Sequence, residues 1–184
     1  MRQLPGYILV LLISISSTAF YSCKNYDLNA EIRQADSLIA LVEQASETLV
    51  IENEYVRQRI DSMKIKLDFI SRLDSNRMNA EFRFDVTRYR ALFRNYKDFI
   101  IEYEALIYDN EVYHNYCKEL KKSLVDKQVS AASFKEIYVV KRNEIKGHLN
   151  ECKILVKSLV STENMYQRLN VKIIDFYMKE TGSS

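Results

Sequence analysis

This chain contains almost none of the residues that break helices or form tight turns. Among its 184 residues there is one proline, Pro5, and there are three glycines, Gly6, Gly147 and Gly182. Sandwiches, barrels and alternating β/α folds need many turns, and those turns depend on glycine and proline. A chain of this length is expected to form one domain with a sizeable core. The sequence therefore predicts an all-α protein.

The apolar residues after position 27 repeat at alternating spacings of four and three, which is typical of coiled-coil helices. The pattern loses its phase at residues 73–79 and again at 126–133. We therefore predict three long helices, at about 28–72, 80–126 and 134–178, followed by a tail at 179–184. Helices of similar length joined by short turns predict an antiparallel up-down-up bundle.

Local signals suggest where these helices begin and where they could be interrupted. Ser133 and Glu136 form a capping-box pattern at the predicted start of the third helix. The pairs at 109–110 and the segment 161–164 could split the second and third helices. Gly147 lies inside the third helix, where glycine costs about 1 kcal/mol relative to alanine. We expect a close helix contact or a slight kink at that position.

The first 22 residues differ from the rest of the chain. A basic start at residues 1–2 is followed by an apolar run at 7–15 and by small residues at 16–19. This order is typical of a secretory signal peptide. Cys23 follows directly and is succeeded by the polar residues Lys24 and Asn25. The chain is therefore predicted to be exported.

The stretch that ends in Cys23 resembles the lipobox of bacterial lipoprotein precursors. Ser22 is the small residue expected before the cysteine, whereas Phe20 replaces the usual aliphatic residue and Tyr21 is bulky. The resemblance implies removal of residues 1–22, acylation of Cys23 with fatty acids such as palmitate, and a short tether at 23–27. It also implies a cell-envelope protein held in a membrane by its lipid. By resemblance to enterobacterial lipoproteins, Lys24 after the cysteine favours the outer membrane, facing the periplasm or the cell surface.

Two other interpretations of this segment stay open. Residues 17–19 could form an ordinary cleavage site, which would release a soluble secreted protein that begins at Phe20. Alternatively, residues 4–21 could remain as an uncleaved anchor, since their length is at the lower limit for crossing a bilayer.

Two further cysteines, Cys117 and Cys152, are predicted to lie in the core. An exported protein with two cysteines suggests a disulfide. In the predicted bundle, however, they are offset by about ten residues, or ~15 Å along the helix axis. A disulfide needs Cα atoms within about 7 Å. We therefore expect two free, buried thiols.

The sequence offers no catalytic motif, because phosphate loops, dinucleotide fingerprints and nucleophile elbows need glycines that this chain lacks. We predict that the protein is not an enzyme and has no cofactor. One candidate metal site consists of Glu111 and His114, a Glu-x-x-His step, with His148 on the third helix nearly opposite Glu111. A complete di-metal site needs more glutamates. The favoured interpretation is structural polar contacts, and a metal- or ligand-binding bundle is the alternative function.

The charges are balanced overall, with 27 Lys and Arg against 25 Asp and Glu. They are uneven locally, because six arginines lie within residues 72–94 among several aromatic residues. Nucleic acid is an unsuitable target for an exported protein, so we expect an anionic protein or envelope polymer as the partner. The predicted partner-binding residues are Arg83, Arg88, Arg90, Arg94 and Tyr89.

The tyrosines at 89, 96 and 103 repeat every seven residues, so they form either a recognition ladder or, the favoured interpretation, part of the core. The predicted function is binding or scaffolding at the envelope, at the bundle end far from the lipid. An inhibitor or immunity-type lipoprotein is a further alternative. The oligomeric state is left open by the sequence.

Overall fold

The structure, a computed structural model, describes residues 28–182. They form α1 (Asn29–Thr48), α2 (Asn53–Ser71), a 3₁₀ turn (Ser75–Arg77), α3 (Ala80–Val125) and α4 (Ala131–Thr181), with no strand in this range. The helices pack against one another as a bundle: α1 and α2 form one arm, α3 returns beside it, and α4 runs back along both. The predicted all-α bundle is confirmed, but the predicted first helix at 28–72 is divided into two helices. Cys23 and the rest of residues 1–27 lie outside the described part.

The first arm is not one continuous helix, because residues 49–52 separate α1 from α2. The hydroxyl groups of Ser46 and Thr48 donate to backbone carbonyls one turn earlier, a contact that weakens a helix, and β-branched Val50 and Ile51 follow. Leu49 stays buried, and its carbonyl oxygen accepts a hydrogen bond of 2.7 Å from the Tyr103 hydroxyl. The bundle therefore stabilises the break.

The two long helices have no interruption at 109–110 or at 161–164. α4 begins at Ala131, because the Ser130 hydroxyl oxygen accepts a hydrogen bond of 3.1 Å from the Ser133 backbone N–H. The predicted capping box at Ser133 and Glu136 is therefore wrong. α4 continues to Thr181 and ends at Gly182, whose φ of 67° is the left-handed conformation that favours glycine.

The core consists of two apolar clusters, one near each end of the bundle. Cys117 belongs to the cluster formed around α1, and Cys152 belongs to the other. Both cysteines are free and fully buried, so the predicted absence of a bridge between them is confirmed. Burial raises the pKa of both the Cys117 and the Cys152 thiol to about 11.

Gly147 is exposed on α4, and a methyl group added there would have no neighbour within 4 Å in the structure. The expected close helix contact is therefore wrong. We predict that Gly147→Ala raises the free energy of unfolding by about 0.5–1 kcal/mol, because alanine loses less backbone entropy in a helix. Urea denaturation measures this change. The exposed neighbour Lys146→Ala is the control, and a loss of stability in Gly147→Ala would contradict the prediction.

Candidate functional site

The predicted arginine cluster lies at the end of the bundle where α2 joins α3. The side chains of Arg83, Arg90 and Arg94 are exposed on α3, and none makes a hydrogen bond or ion pair with another residue of the described chain. Their spacings of seven and four place them on one face of the helix. We call these three residues the arginine surface.

The acidic residues closest to this end are already engaged elsewhere. Arg77 pairs with Glu180 at 3.2 Å, between the turn and the end of α4. Lys172 on α4 contacts Asp85, which is buried, at 2.8 Å and Glu81 at 3.4 Å. The positive charge of the arginine surface is therefore not neutralised by neighbouring carboxylates.

Arg88 lies on a different face of α3 from the arginine surface. Its guanidinium is 5.8 Å from the ring centre of Phe84, whose side chain is 63% exposed. Two other aromatic residues of this segment pack inward: Phe82 stacks on Phe176 with ring centres 4.0 Å apart, and Phe93 is half-buried against the core. Phe84 is thus the aromatic residue of this segment that is open to a partner.

Tyr89 does not belong to the exposed surface. Its side chain is fully buried, and its hydroxyl donates to Asn170 Oδ1 at 2.8 Å. The proposed partner-binding role of Tyr89 is therefore wrong. Tyr96 donates to Glu163 Oε2 at 2.6 Å, and Tyr103 donates to the Leu49 carbonyl. The three tyrosines fill the core, as the favoured interpretation expected, and each hydroxyl binds another arm.

A partly buried polar layer connects α2 to α4, and the sequence analysis did not identify it. Arg59 pairs with Glu163 at 3.0 Å, and its guanidinium lies 4.8 Å from the Tyr55 ring centre and 4.6 Å from that of Tyr166. The sequence carries one signal for this layer: Arg59 directly precedes Ile60, an apolar residue of the four-and-three repeat, so it lies beside the buried face of the helix. Seven residues after Arg59, two helical turns along α2, Lys66 donates to Asn170 Oδ1 at 3.0 Å.

The electrostatics of this layer follow from its hydrogen bonds. Burial raises the pKa of Glu163, but the hydroxyl groups of Tyr55 and Tyr96, the Gln167 amide and the charge of Arg59 outweigh burial, so the pKa lies below the ordinary value. Burial and the adjacent Glu163 raise the pKa of Tyr96. Glu163 is therefore a carboxylate and Tyr96 a neutral donor near neutral pH.

The candidate metal residues do not converge. His148 is buried, and its Nε2 lies 3.2 Å from Asn110 Oδ1 and 3.7 Å from Cys152 Sγ. Glu111 is exposed and His114 is half-buried. His148 lies at the level of residues 110 and 111 along the bundle, as predicted. One residue turns a helix by about 100°, however, so Asn110 faces His148 and Glu111 does not. In residues 28–182, no three His, Cys, Asp or Glu side chains are arranged to hold a metal ion.

Two wider findings complete the description of the site. None of the helices in the described range combines the length and the apolar character needed to cross a membrane. Comparison with protein-family models, with curated proteins and with solved structures found no match to this chain.

Proposed function

We propose that this protein is a lipid-anchored component of the bacterial cell envelope that binds an anionic partner through the arginine surface. The observation that carries this proposal is that Arg83, Arg90 and Arg94 are exposed, share one face and lack a partner in the described chain. Guanidinium groups bind carboxylates and phosphates by paired hydrogen bonds, so an acidic protein or an anionic polymer fits this surface.

The geometry of the bundle supports a role at a distance from the membrane. Only residues 24–27 separate the proposed lipid on Cys23 from the start of the first arm, and an extended tether of that length reaches only about 17 Å. The first arm then extends for roughly 65 Å to the turn before α3. The arginine surface therefore lies at the end of the bundle opposite Leu28.

The packing of that end supports a preformed binding surface. Phe82 stacks on Phe176, and Phe69 contacts Tyr177 with ring centres 4.9 Å apart, so α2, α3 and α4 are joined there by aromatic contacts. Arg83 and Arg94 are separated by eleven residues, or about 16 Å along the helix. A rigid row of charges of this length favours an elongated anionic partner over a small anion.

The test reverses the three charges together. We expect Arg83→Glu/Arg90→Glu/Arg94→Glu to keep its helicity and to weaken partner capture at least about tenfold, because like charges then face the partner. Photocrosslinking and quantified pull-down from native envelope measure this. The matched control reverses three exposed basic residues of α4, Arg142, Lys146 and Lys153. Undiminished capture by the first variant, or crosslinks confined to residues 126–130, would contradict the proposal.

A further inference from the structure

The outer face of α3 carries a second row of residues at alternating spacings of three and four, opposite the core. The row consists of Phe84, Thr87, Ala91, Arg94, Asp98, Ile101, Ala105 and Tyr108. Phe84, Ile101 and Tyr108 are 63%, 67% and 67% exposed. Its apolar members lie towards the two ends of the row and its charged members, Arg94 and Asp98, lie at the centre. Apolar residues at this spacing can pack against a second helix. The described chain leaves all of this row exposed except Ala91, which is half-buried, so the row is open to a second helix.

The charges along α3 change sign between Lys97 and Asp98. Residues 83–97 contain five basic residues and one acidic residue, Asp85, which is buried and bound to Lys172. Residues 98–112 contain five acidic residues and no lysine or arginine. Asp98 and Glu102 are exposed and have no ion-pair partner in the described chain. The face is therefore basic towards the turn end and acidic beyond it.

The row is complementary to itself when it is turned end for end about Tyr96. Arg94 then meets Asp98, since the two are equally far from Tyr96 on opposite sides. By the same symmetry, exposed Phe84 meets exposed Tyr108, and half-buried Ala91 meets Ile101. The two charges of the row face each other and its larger apolar side chains face apolar side chains, while Ala105 meets Thr87. Self-complementarity of this kind is what an antiparallel pair of identical helices requires.

The residues beside the row agree with the same arrangement. Arg88 and Glu102 lie on one flank of the helix, eight and six residues from Tyr96. Arg90 and Glu104 lie on the other flank, six and eight residues from it, so each pair is offset by about 3 Å along the axis. An antiparallel two-fold keeps each flank against the same flank of the partner copy. Lys97 is the exception. It lies one residue from the axis, so it faces Lys97 of the second copy.

We propose that the partner bound by α3 is a second copy of this chain, packed antiparallel about an axis at Tyr96. The contact row is about 36 Å long, and a helix pair of this length buries on the order of 1,200 Å² in total, the lower limit of stable interfaces. The dimer is therefore expected to dissociate reversibly in the micromolar range.

This inference rests on the proposed function, since it names the anionic partner of Arg90 and Arg94. It also sets the geometry of assembly. Arg59 and Tyr96 both bind Glu163, so Arg59 on the first arm lies at about the same level along the bundle as the proposed two-fold axis at Tyr96. Leu28 lies about 45 Å from it, so the Leu28 residues of the two copies lie about 90 Å apart. Copies anchored by lipid would thus pair across facing membranes.

Sedimentation equilibrium of the full chain from about 1 to 500 µM, a range set by the expected interface size, tests the pairing. We expect Ile101→Glu to weaken dimerisation at least about tenfold. Ile65→Glu, on α2, is the matched control, because Ile65 is 62% exposed and lies outside the row. Arg94→Asp and Asp98→Arg should each be monomeric, whereas an equimolar mixture of the two should dimerise, since both contacts are then restored.

Cysteine crosslinking tests the direction of the pair, in a Cys23→Ser background. Thr87 and Ala105 are exposed and equally distant from Tyr96. We expect a disulfide only when Thr87→Cys and Ala105→Cys chains are mixed. Cys117 and Cys152 should not interfere, because both are buried. Self-crosslinking of Thr87→Cys would indicate a parallel dimer and would overturn the proposal.

A protein that stays monomeric over the whole range overturns the second-copy proposal, as does a dimer that Ile101→Glu and both charge reversals leave intact. These results are distinguishable from failure of the proposed function. If the monomer still captures another envelope component in an arginine-dependent way, the binding function holds and only the identity of the partner is wrong. If neither capture nor dimerisation depends on the arginines, both proposals fail.

Discussion

Arg59→Met is expected to lower the free energy of unfolding by about 2 kcal/mol, because Glu163 is then left partly buried without its cation. In the native protein the Arg59 and Glu163 side chains are 31% and 16% exposed and lie 3.0 Å apart. The magnitude is below that of fully buried pairs because water reaches both groups. Urea denaturation, followed by circular dichroism, measures the change.

A matched control is available on the same helix. Arg57 pairs with Glu104 at 2.7 Å, but these side chains are 52% and 58% exposed. Arg57→Met should therefore cost less than about 0.5 kcal/mol. Replacing both members of the partly buried pair, in Arg59→Met/Glu163→Gln, should recover much of the loss, because no unpaired charge remains and an amide oxygen still accepts from Tyr96. Equal effects of Arg59→Met and Arg57→Met would contradict the importance of the polar layer.

The same layer gives this region a defined pH dependence. The pKa of Glu163 is lower in the folded chain than in the unfolded chain, so the unfolded state binds the proton more tightly. The stabilisation is fully present above the unfolded pKa and is lost as pH falls through the folded value. The stability advantage of the native chain over Glu163→Gln should therefore shrink below about pH 4.5. An advantage that grows on acidification would contradict this assignment.

If Cys23 carries the proposed lipid, Cys23→Ala is expected to abolish lipid attachment altogether. One diacylglyceryl unit and one amide-linked acyl chain bury far more methylene groups than a single myristoyl chain, which binds membranes only marginally. Loss of the acceptor thiol should therefore release the protein from the membrane fraction or leave its precursor unprocessed. Incorporation of labelled palmitate, membrane fractionation and N-terminal sequencing measure these outcomes.

The other two cysteines provide the control. Cys117→Ala and Cys152→Ala remove buried thiols and should leave lipid labelling unchanged. If the Cys23→Ala protein stays membrane-bound with an uncut N-terminus, residues 4–21 act as an anchor. If the native chain instead begins at Phe20 and is soluble, an ordinary signal peptidase site is used. Either result would contradict lipidation.

Much of the architecture could be predicted because its signals are local and repeated. The spacing of apolar residues determines which face of each helix is buried, whatever the helix packs against. Ala35, Val56, Met63 and Ile173 are fully buried, as the repeat predicted. The same register placed Cys117 and Cys152 at different heights and correctly argued against a bridge between them.

The errors at the candidate site arose where a single residue step changes the direction of a side chain. The predicted alignment of α3 with α4 was correct, yet Asn110 binds His148 while Glu111 is exposed. Tyr89 was assigned to the surface because arginines flank it in sequence, although its own position belongs to the buried row. Proximity in sequence therefore misassigned residues that helical rotation separates.

By itself, the sequence determined an all-α chain with three arms, because the scarcity of glycine and proline and the heptad repeat act within each segment. The positions of the arginines at residues 83–94 and the change of charge between Lys97 and Asp98 are also read directly from the sequence. Tertiary structure decided the break between α1 and α2 and the ion pair of Arg59 with Glu163. The Tyr103 hydroxyl that binds the Leu49 carbonyl is 54 residues away, and Glu163 is 104 residues from Arg59. Contacts over such separations exist only after the arms have packed, so no local pattern records them.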